Sequence, residues 1–196
     1  MIGSLRGRIS AKAPPQLTVE VGGVGYELEA PMSTFFQLPP VGAEVHLLTH
    51  LVVREDAHVL FGFGSEEERR LFRSLIKVSG VGPKIALALL SGISVADFHQ
   101  HVQSQDIGAL TRVPGIGRKT AERLIVEMRD RLTAPELAAG APGGALAGSP
   151  ETEAYAALVA LGYRPAEATR LLKGAGPGTQ STEELIRRAL QGAVRE

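Results

Sequence analysis

The sequence has no cysteine in its 196 residues, which excludes disulfides, thiolate zinc sites and iron–sulfur clusters at once. It has no net charge either, because 21 Lys and Arg balance 21 Asp and Glu. No apolar run is long enough to span a bilayer, and the N-terminal MIGSLRGRIS lacks the basic-then-apolar layout of a signal peptide. The expectation from these absences is a soluble, cytoplasmic protein. A hydrophobic share of 44% is ordinary for a globular chain and argues against wholesale disorder.

The zero net charge hides a segregation. Residues 1–64 carry 4 Lys/Arg against 6 Asp/Glu, whereas residues 65–135 carry 11 against 8, with basic groups at the ends and first turns of a repeated unit. Residues 151–196 balance at 6 against 6. Local fields govern steering and phosphate binding more than totals do.

The repeat organises the chain. Leu75–Leu90 reads LIKVSGVGPKIALALL, and 35 residues later Leu110–Ile125 reads LTRVPGIGRKTAERLI. Leu75/Leu110, Val78/Val113, Gly80/Gly115, Gly82/Gly117, Lys84/Lys119, Ala86/Ala121 and Leu89/Leu124 are identical, and Lys77/Arg112 and Val81/Ile116 are matched in kind. Such self-similarity marks one supersecondary unit used twice.

In each copy the pattern predicts a helix end, a Gly-hydrophobic-Gly turn and a new helix beginning at Pro83 or Arg118. The intervening Val81 or Ile116 is expected to wedge between the helices. Unpaired amides of the turn and the new helix then face outward at a helix N-terminus, which favours an anion. Lys84 and Lys119 follow at once, so phosphate is the natural ligand. A single Gly-x-Gly could equally be a tight helix connection; two copies with matched lysines favour the phosphate. Gly117-Arg118-Lys119-Thr120 resembles the end of a P-loop, yet that motif needs glycine where Arg118 and Val113 stand. Backbone amides and lysine read phosphate without base sequence. Two such units could grip both strands of a duplex, with Val81, Ile116, Arg118, Thr120 and Arg123 among the contacting residues and Lys77 and Arg112 beside them. Engaging about two to four phosphates per subunit gives a log-affinity slope against log salt of roughly −2 to −4 per subunit.

Around the repeat, the fold class read from the pattern is multidomain α+β. Residues 1–64 read as five short strands, over 2–10, 17–21, 24–29, 45–53 and 58–63, with one helical turn near 31–38. A closed five-stranded OB-fold barrel fits that count, and an SH3-like barrel fits nearly as well. The last two strands meet at Arg54-Glu55-Asp56-Ala57, a hairpin tip whose acidic residues are ordinary in turns. Residues 65–133 read as all-helical, with Ser65 as an N-cap and helices over 94–104 and 106–112 between the two hairpins. Residues 134–150, nearly uncharged and rich in Gly, Ala and Pro, read as a flexible linker spanning about 20 to 25 Å. Residues 151–196 read as three helices, the first ending at Gly162, the second starting at Pro165, the third boxed by Ser181 and Glu184. Their expected core is Leu158, Leu161, Leu171, Leu172, Leu185, Ile186 and Leu190.

The hairpin residues resemble the helix-hairpin-helix motifs of DNA repair proteins. The whole chain resembles the RuvA family, the Holliday-junction-binding subunits of bacterial branch-migration complexes. That resemblance rests on the MIG-L-G start, VGGVGYE at Val21–Glu27, THLVVREDA at Thr49–Ala57, GVGPK, PGIGRKTAERLIVEM, and ALVALGY at Ala157–Tyr163. Ser79 departs from the asparagine the family often has.

The resemblance implies an OB-fold domain, a tandem helix-hairpin-helix domain and a C-terminal three-helix, UBA-like domain, in a homotetramer holding an open four-way junction. It places Gly80, Gly82, Lys84, Gly115, Gly117, Arg118 and Lys119 in phosphate-binding hairpins and Glu55 and Asp56 in an acidic pin at the junction centre. Leu158, Leu161 and Tyr163 match the surface that engages the RuvB ATPase motor, with a core role for Leu158 the other reading. RuvC resolvase is a further implied partner. No cofactor and no catalytic group of its own are expected, the chain being a non-catalytic subunit in recombination and repair.

Two other functions remain to weigh. A glycosylase or nuclease shares the hairpin and needs a downstream Asp, for which Asp130 is the candidate, but no cleft-forming domain follows. His99 and His101 lack helical metal spacing and read as surface residues. A general duplex-binding protein is the third possibility.

Overall fold

The computed structural model describes residues 1–133, 149–174 and 181–193, without the side chains of 130–133. Nearly all of the expected linker, and the side chain of Asp130, lie outside the described residues. Met1–Thr133 forms one compact unit and the remainder a second.

The first unit opens with five strands: β1 Ser4–Ala13, β2 Gln16–Val21, β3 Val24–Glu29, β4 Glu44–Val53 and β5 His58–Phe63. They close in the order β1-β2-β3-β5-β4. β1 pairs antiparallel with both β2 and β4, and β3 meets β5 in parallel at Glu29 and Phe61. This connectivity is that of the OB barrel and removes the SH3-like alternative. β1 runs three residues past its expected end, because a register shift between Ile9 and Ala11 lets its second half continue along β2. The irregularity bends the strand, so one strand serves two neighbours.

Alternate residues fill the barrel: Leu5, Ile9, Leu17, Val19, Leu28, Leu47 and Leu60 are buried together. β5 is apolar on both sides for a reason. A Cβ on Gly62 would meet Leu28 Cδ2 at 3.2 Å and Leu47 Cδ1 at 3.4 Å, so position 62 faces a barrel interior with no room for a side chain. Phe61 and Phe63 point the other way, each with its ring centroid 4.9 Å from that of Phe72. Phe72 belongs to α2, Glu66–Leu75. The barrel and the helices therefore share a core, and position 64/65 marks a change of secondary structure within one unit.

Six helices complete that unit. α1, Met32–Gln37, lies between β3 and β4; α2 is followed by α3 Pro83–Gly92, α4 Val95–Gln103, α5 Ile107–Thr111 and α6 Arg118–Thr133. Ser65 caps α2 as expected, its Oγ accepting from the Glu68 amide at 3.2 Å. Among the described residues no single helix is long and apolar enough to cross a membrane.

The second unit contains α7 Pro150–Ala160, α8 Pro165–Gly174 and α9 Thr182–Ala193. Ser181 Oγ accepts from the Glu184 amide at 3.3 Å, one half of the expected capping box. Leu158, Ala168, Leu171 and Ala189 form one part of its core, Ala154 and Leu185 another. Leu161 departs from expectation. It is 63% exposed rather than buried, because α7 ends in a turn closed by Gly162 N–H to Val159 O (3.0 Å) and Tyr163 N–H to Leu158 O (3.2 Å), which puts Leu161 on the outside of the reversal. Leu158→Ala is expected to destabilise this unit by about 2 to 5 kcal/mol, the usual cost of truncating a buried leucine. Leu161→Ala should leave its thermal melt unchanged; equal shifts for the two variants would contradict this packing.

Candidate nucleic-acid interface

The two copies of the repeat match bond for bond. In the first, Val78 N–H donates to Leu75 O at 2.9 Å, Val81 N–H to Val78 O at 3.0 Å, and Ala86 N–H to Gly82 O at 3.0 Å. In the second, Val113 N–H donates to Leu110 O at 3.2 Å, Ile116 N–H to Val113 O at 3.1 Å, and Ala121 N–H to Gly117 O at 3.0 Å. Gly80 and Gly115 take φ of +88° and +86°, a region costly for any residue with a Cβ. Each turn thereby reverses in the space needed to start the next helix.

Gly82 caps α3 without a side-chain hydrogen bond, and Pro83 occupies the first helical position. The amides of Lys84 and Ile85 thus stand at the open N-terminus of α3, where the intrahelical ladder has no acceptor for them. Gly117 stands in the same relation to α6. Lys84, Lys119, Gly82 and Gly117 are exposed. Open amides, the positive end of a helix dipole and a flexible cation converge twice, a construction suited to phosphate oxygens.

The structure narrows the set of contact residues. Val81 and Ile116 are buried, and their amides are already spent within the turns. They build the hairpins as wedges, with their side chains turned into the core. Thr120 is half-buried. Arg118 Nε lies 3.0 Å from Glu122 Oε1 in an exposed pair, which leaves most of its donors free but tempers its charge. Arg123 does something the sequence did not suggest: its Nη1 donates to Ser79 O at 3.2 Å, across 44 residues. It braces the first hairpin from the second motif. An ideal Cβ on Gly115 would also lie 3.6 Å from Ile85 Cγ1, so the hairpins are neighbours.

The arginines of α2 are not part of this surface. Arg69 donates to Gly3 O at 2.7 Å and to Glu66, Arg70 pairs with Glu66, and Arg73 Nη2 reaches Thr49 O at 3.4 Å. Arg73 Nε also donates to His50 Nδ1 at 3.3 Å. Burial, aided by Arg73 and Arg69, holds His50 below the ordinary histidine range, which keeps that nitrogen able to accept. Part of the positive charge counted over residues 65–135 is therefore spent fastening helix to barrel. His99 and His101 are half-buried rather than fully on the surface; His101 lies 3.6 Å from Asp106.

The acidic tip forms as the pattern required. β4 and β5 pair up to Val53 and His58, Arg54 N–H donates to Ala57 O at 2.8 Å, and Glu55 and Asp56 project into solvent. In the second unit Leu158 is fully buried, so the direct partner contact suggested for it gives way to its core role. Leu161 is exposed and Tyr163 half-buried. Among the described residues no group of three or more His, Asp or Glu side chains is placed to hold a metal ion.

Comparison with known proteins covers all three segments. Residues 1–62 match the model of the RuvA N-terminal domain, residues 72–130 a SAM-like helix-hairpin-helix tandem, and residues 149–193 the RuvA C-terminal domain. A protein of Methylococcus capsulatus is 59% identical over the full length of both chains, and one of Thioalkalivibrio sulfidiphilus is 55% identical, again over the whole of each. A protein of Xanthomonas euvesicatoria is likewise 55% identical from end to end. All three bear the name Holliday junction branch migration complex subunit RuvA. With barrel, paired hairpins and terminal helices matched in order over the entire sequence, the chain belongs to the RuvA family.

Proposed function

We propose that this protein binds four-way DNA junctions in an open form, without sequence specificity, and recruits the RuvB ATPase for branch migration in recombination and repair. The observation that carries the proposal is the pair of hairpins with identical internal bonding and matched lysines. They supply affinity for phosphate and none for sequence. Selection of the junction falls to the acidic tip, whose carboxylates act on phosphates within a Debye length of about 8 Å and disfavour a duplex running straight through the centre. A homotetramer would bring four such tips together and give each arm its own pair of hairpins.

On this reading residues 1–64 shape the centre, residues 65–133 hold the arms, and residues 134–150 tether residues 151–196, which dock on the motor through Leu161 and Tyr163. RuvC resolvase would act on the same held junction. The chain itself is non-catalytic and cytoplasmic, needs no cofactor, and leaves ATP hydrolysis to its partner. The family membership supports this reading over a glycosylase or nuclease.

A mobility-shift comparison tests it. The protein should retard a synthetic four-way junction at concentrations about a thousandfold below those needed for linear duplex of equal length, a margin at the low end of the usual span between specific and non-specific DNA binding. Equal affinity for the two would leave only a general duplex-binding protein.

A further inference from the structure

We infer that Glu68, with Ser33, Thr34 and Ser91, forms a polar clasp that sets the position of the acidic tip relative to the first hairpin. Glu68 is only 7% exposed. Its Oε1 accepts from Ser33 Oγ, and its Oε2 accepts from Thr34 Oγ1 at 2.8 Å and from Gly64 N–H at 3.2 Å. Gly64 N–H is shared with Thr34 Oγ1 at 3.0 Å. A buried carboxylate holds a defined geometry only where every lone-pair direction it uses finds a donor. Here the donors come from two elements, α1 and the end of β5. In the familiar capping box the N3 glutamate bonds back to the amide of the N-cap; this one reaches past Ser65 to Gly64 and to α1.

The second link lies beside the first, at the start of α1. Met32 N–H donates to Ser91 Oγ at 3.0 Å, and Ser91 Oγ donates to Leu87 O at 2.7 Å. Ser91 sits in the last turn of α3, the helix whose first turn is the phosphate-binding end of the first hairpin. Two routes from that hairpin therefore converge on Glu68. One runs back along α2, which carries Glu68 itself; the other runs along α3, across Ser91 to α1, and through Ser33 and Thr34. From Glu68 the connection passes by Gly64 to β5, whose far end is the acidic tip. Apolar packing of Phe72 on Phe61 and Phe63 supplies attraction between the same parts, yet such contacts are non-directional. The hydrogen-bonded carboxylate adds direction, and direction is what a junction, whose phosphates are spaced by its own geometry, demands of the distance from tip to hairpin.

Glu68 is on this account a positioning residue: it touches no DNA and acts through the hairpin and the tip. The inference rests on the proposed junction binding, and its test separates the two. Because the protein has no cysteine, Val53→Cys and Lys77→Cys accept a single pair of spin labels, with labelled subunits diluted among unlabelled ones. Without DNA, the label-to-label distance should be narrowly distributed in the parent protein and broadened in Glu68→Ala and in Ser91→Ala. With DNA, the ratio of junction to duplex affinity should fall by about fivefold, within the range that residues touching neither ligand exert on a coupling, while duplex affinity and its salt slope stay unchanged.

A folded variant with an unaltered distance distribution and an unaltered ratio overturns the inference. So does a lost ratio accompanied by a shallower salt slope, since that places the defect in the phosphate grip itself. Should Glu68→Ala fail to fold, Ser91→Ala carries the test, because it removes a half-buried hydroxyl from the second link alone. If the parent protein shows no junction preference, the functional reading fails, and the distance measurement still decides on the clasp.

Discussion

Glu55→Gln with Asp56→Asn should raise affinity for linear duplex about tenfold at low salt and erase much of the preference for a four-way junction. Each carboxylate faces phosphates across solvent, where one pair at the Debye distance of about 8 Å contributes less than thermal energy. On the proposed reading, however, several phosphates would face each tip and a tetramer would present four tips to one junction centre, so the small terms add. Affinity for the junction itself should change less, because its open centre already keeps the strands away from the tips. The gain for duplex must shrink as salt rises, since screening removes the repulsion that the substitutions relieve. Parallel titrations of junction and duplex at two ionic strengths give all four quantities. Selectivity that survives neutralisation of the tip would assign discrimination to assembly geometry alone.

The second large effect concerns the hairpins. Lys84→Ala combined with Lys119→Ala should weaken binding to every sequence alike and flatten the salt dependence by roughly two units of slope per subunit, one for each phosphate no longer neutralised. The single variants should differ. Lys84 is the only cation in α3, whereas Lys119 stands beside Arg118, with Arg123 one turn further along α6. Loss of Lys84 removes all side-chain charge from its helix, and loss of Lys119 leaves neighbours that can take up part of the role. Lys84→Ala is therefore the more damaging of the two. A loss confined to particular base sequences would contradict recognition through the backbone.

These expectations draw on different levels of the molecule. Both hairpins were legible from one sequence because duplication supplies its own control: glycine, wedge and lysine recur at a fixed interval, and chance does not repeat a turn with its helix start. The strands were legible from alternation, and the tip from the residues between two apolar runs. Barrel type was not, since OB and SH3-like barrels share strand count and period and differ only in which strands pair; the parallel meeting of β3 with β5 decided it. Nor could periodicity tell Leu158 from Leu161. Both are leucines at the end of one helix whose apolar residues are not confined to a single face, and only the reversal at Gly162 puts one inside and the other out.

The same limit applies to charge. Arg69, Arg73, Arg118 and Arg123 look equivalent in a count, yet the fold ties two of them to the barrel, pairs one with Glu122 and turns the last back onto Ser79. The capping pattern Ser65-x-x-Glu68 was visible, but the carboxylate's true partners lie more than thirty residues away in α1. By itself the sequence determined what repeats, what alternates and what turns, because those are properties of neighbours along the chain. Tertiary structure alone decided which side chains are spent on packing and which remain for DNA, because a hydrogen bond or a buried contact depends on what approaches in space.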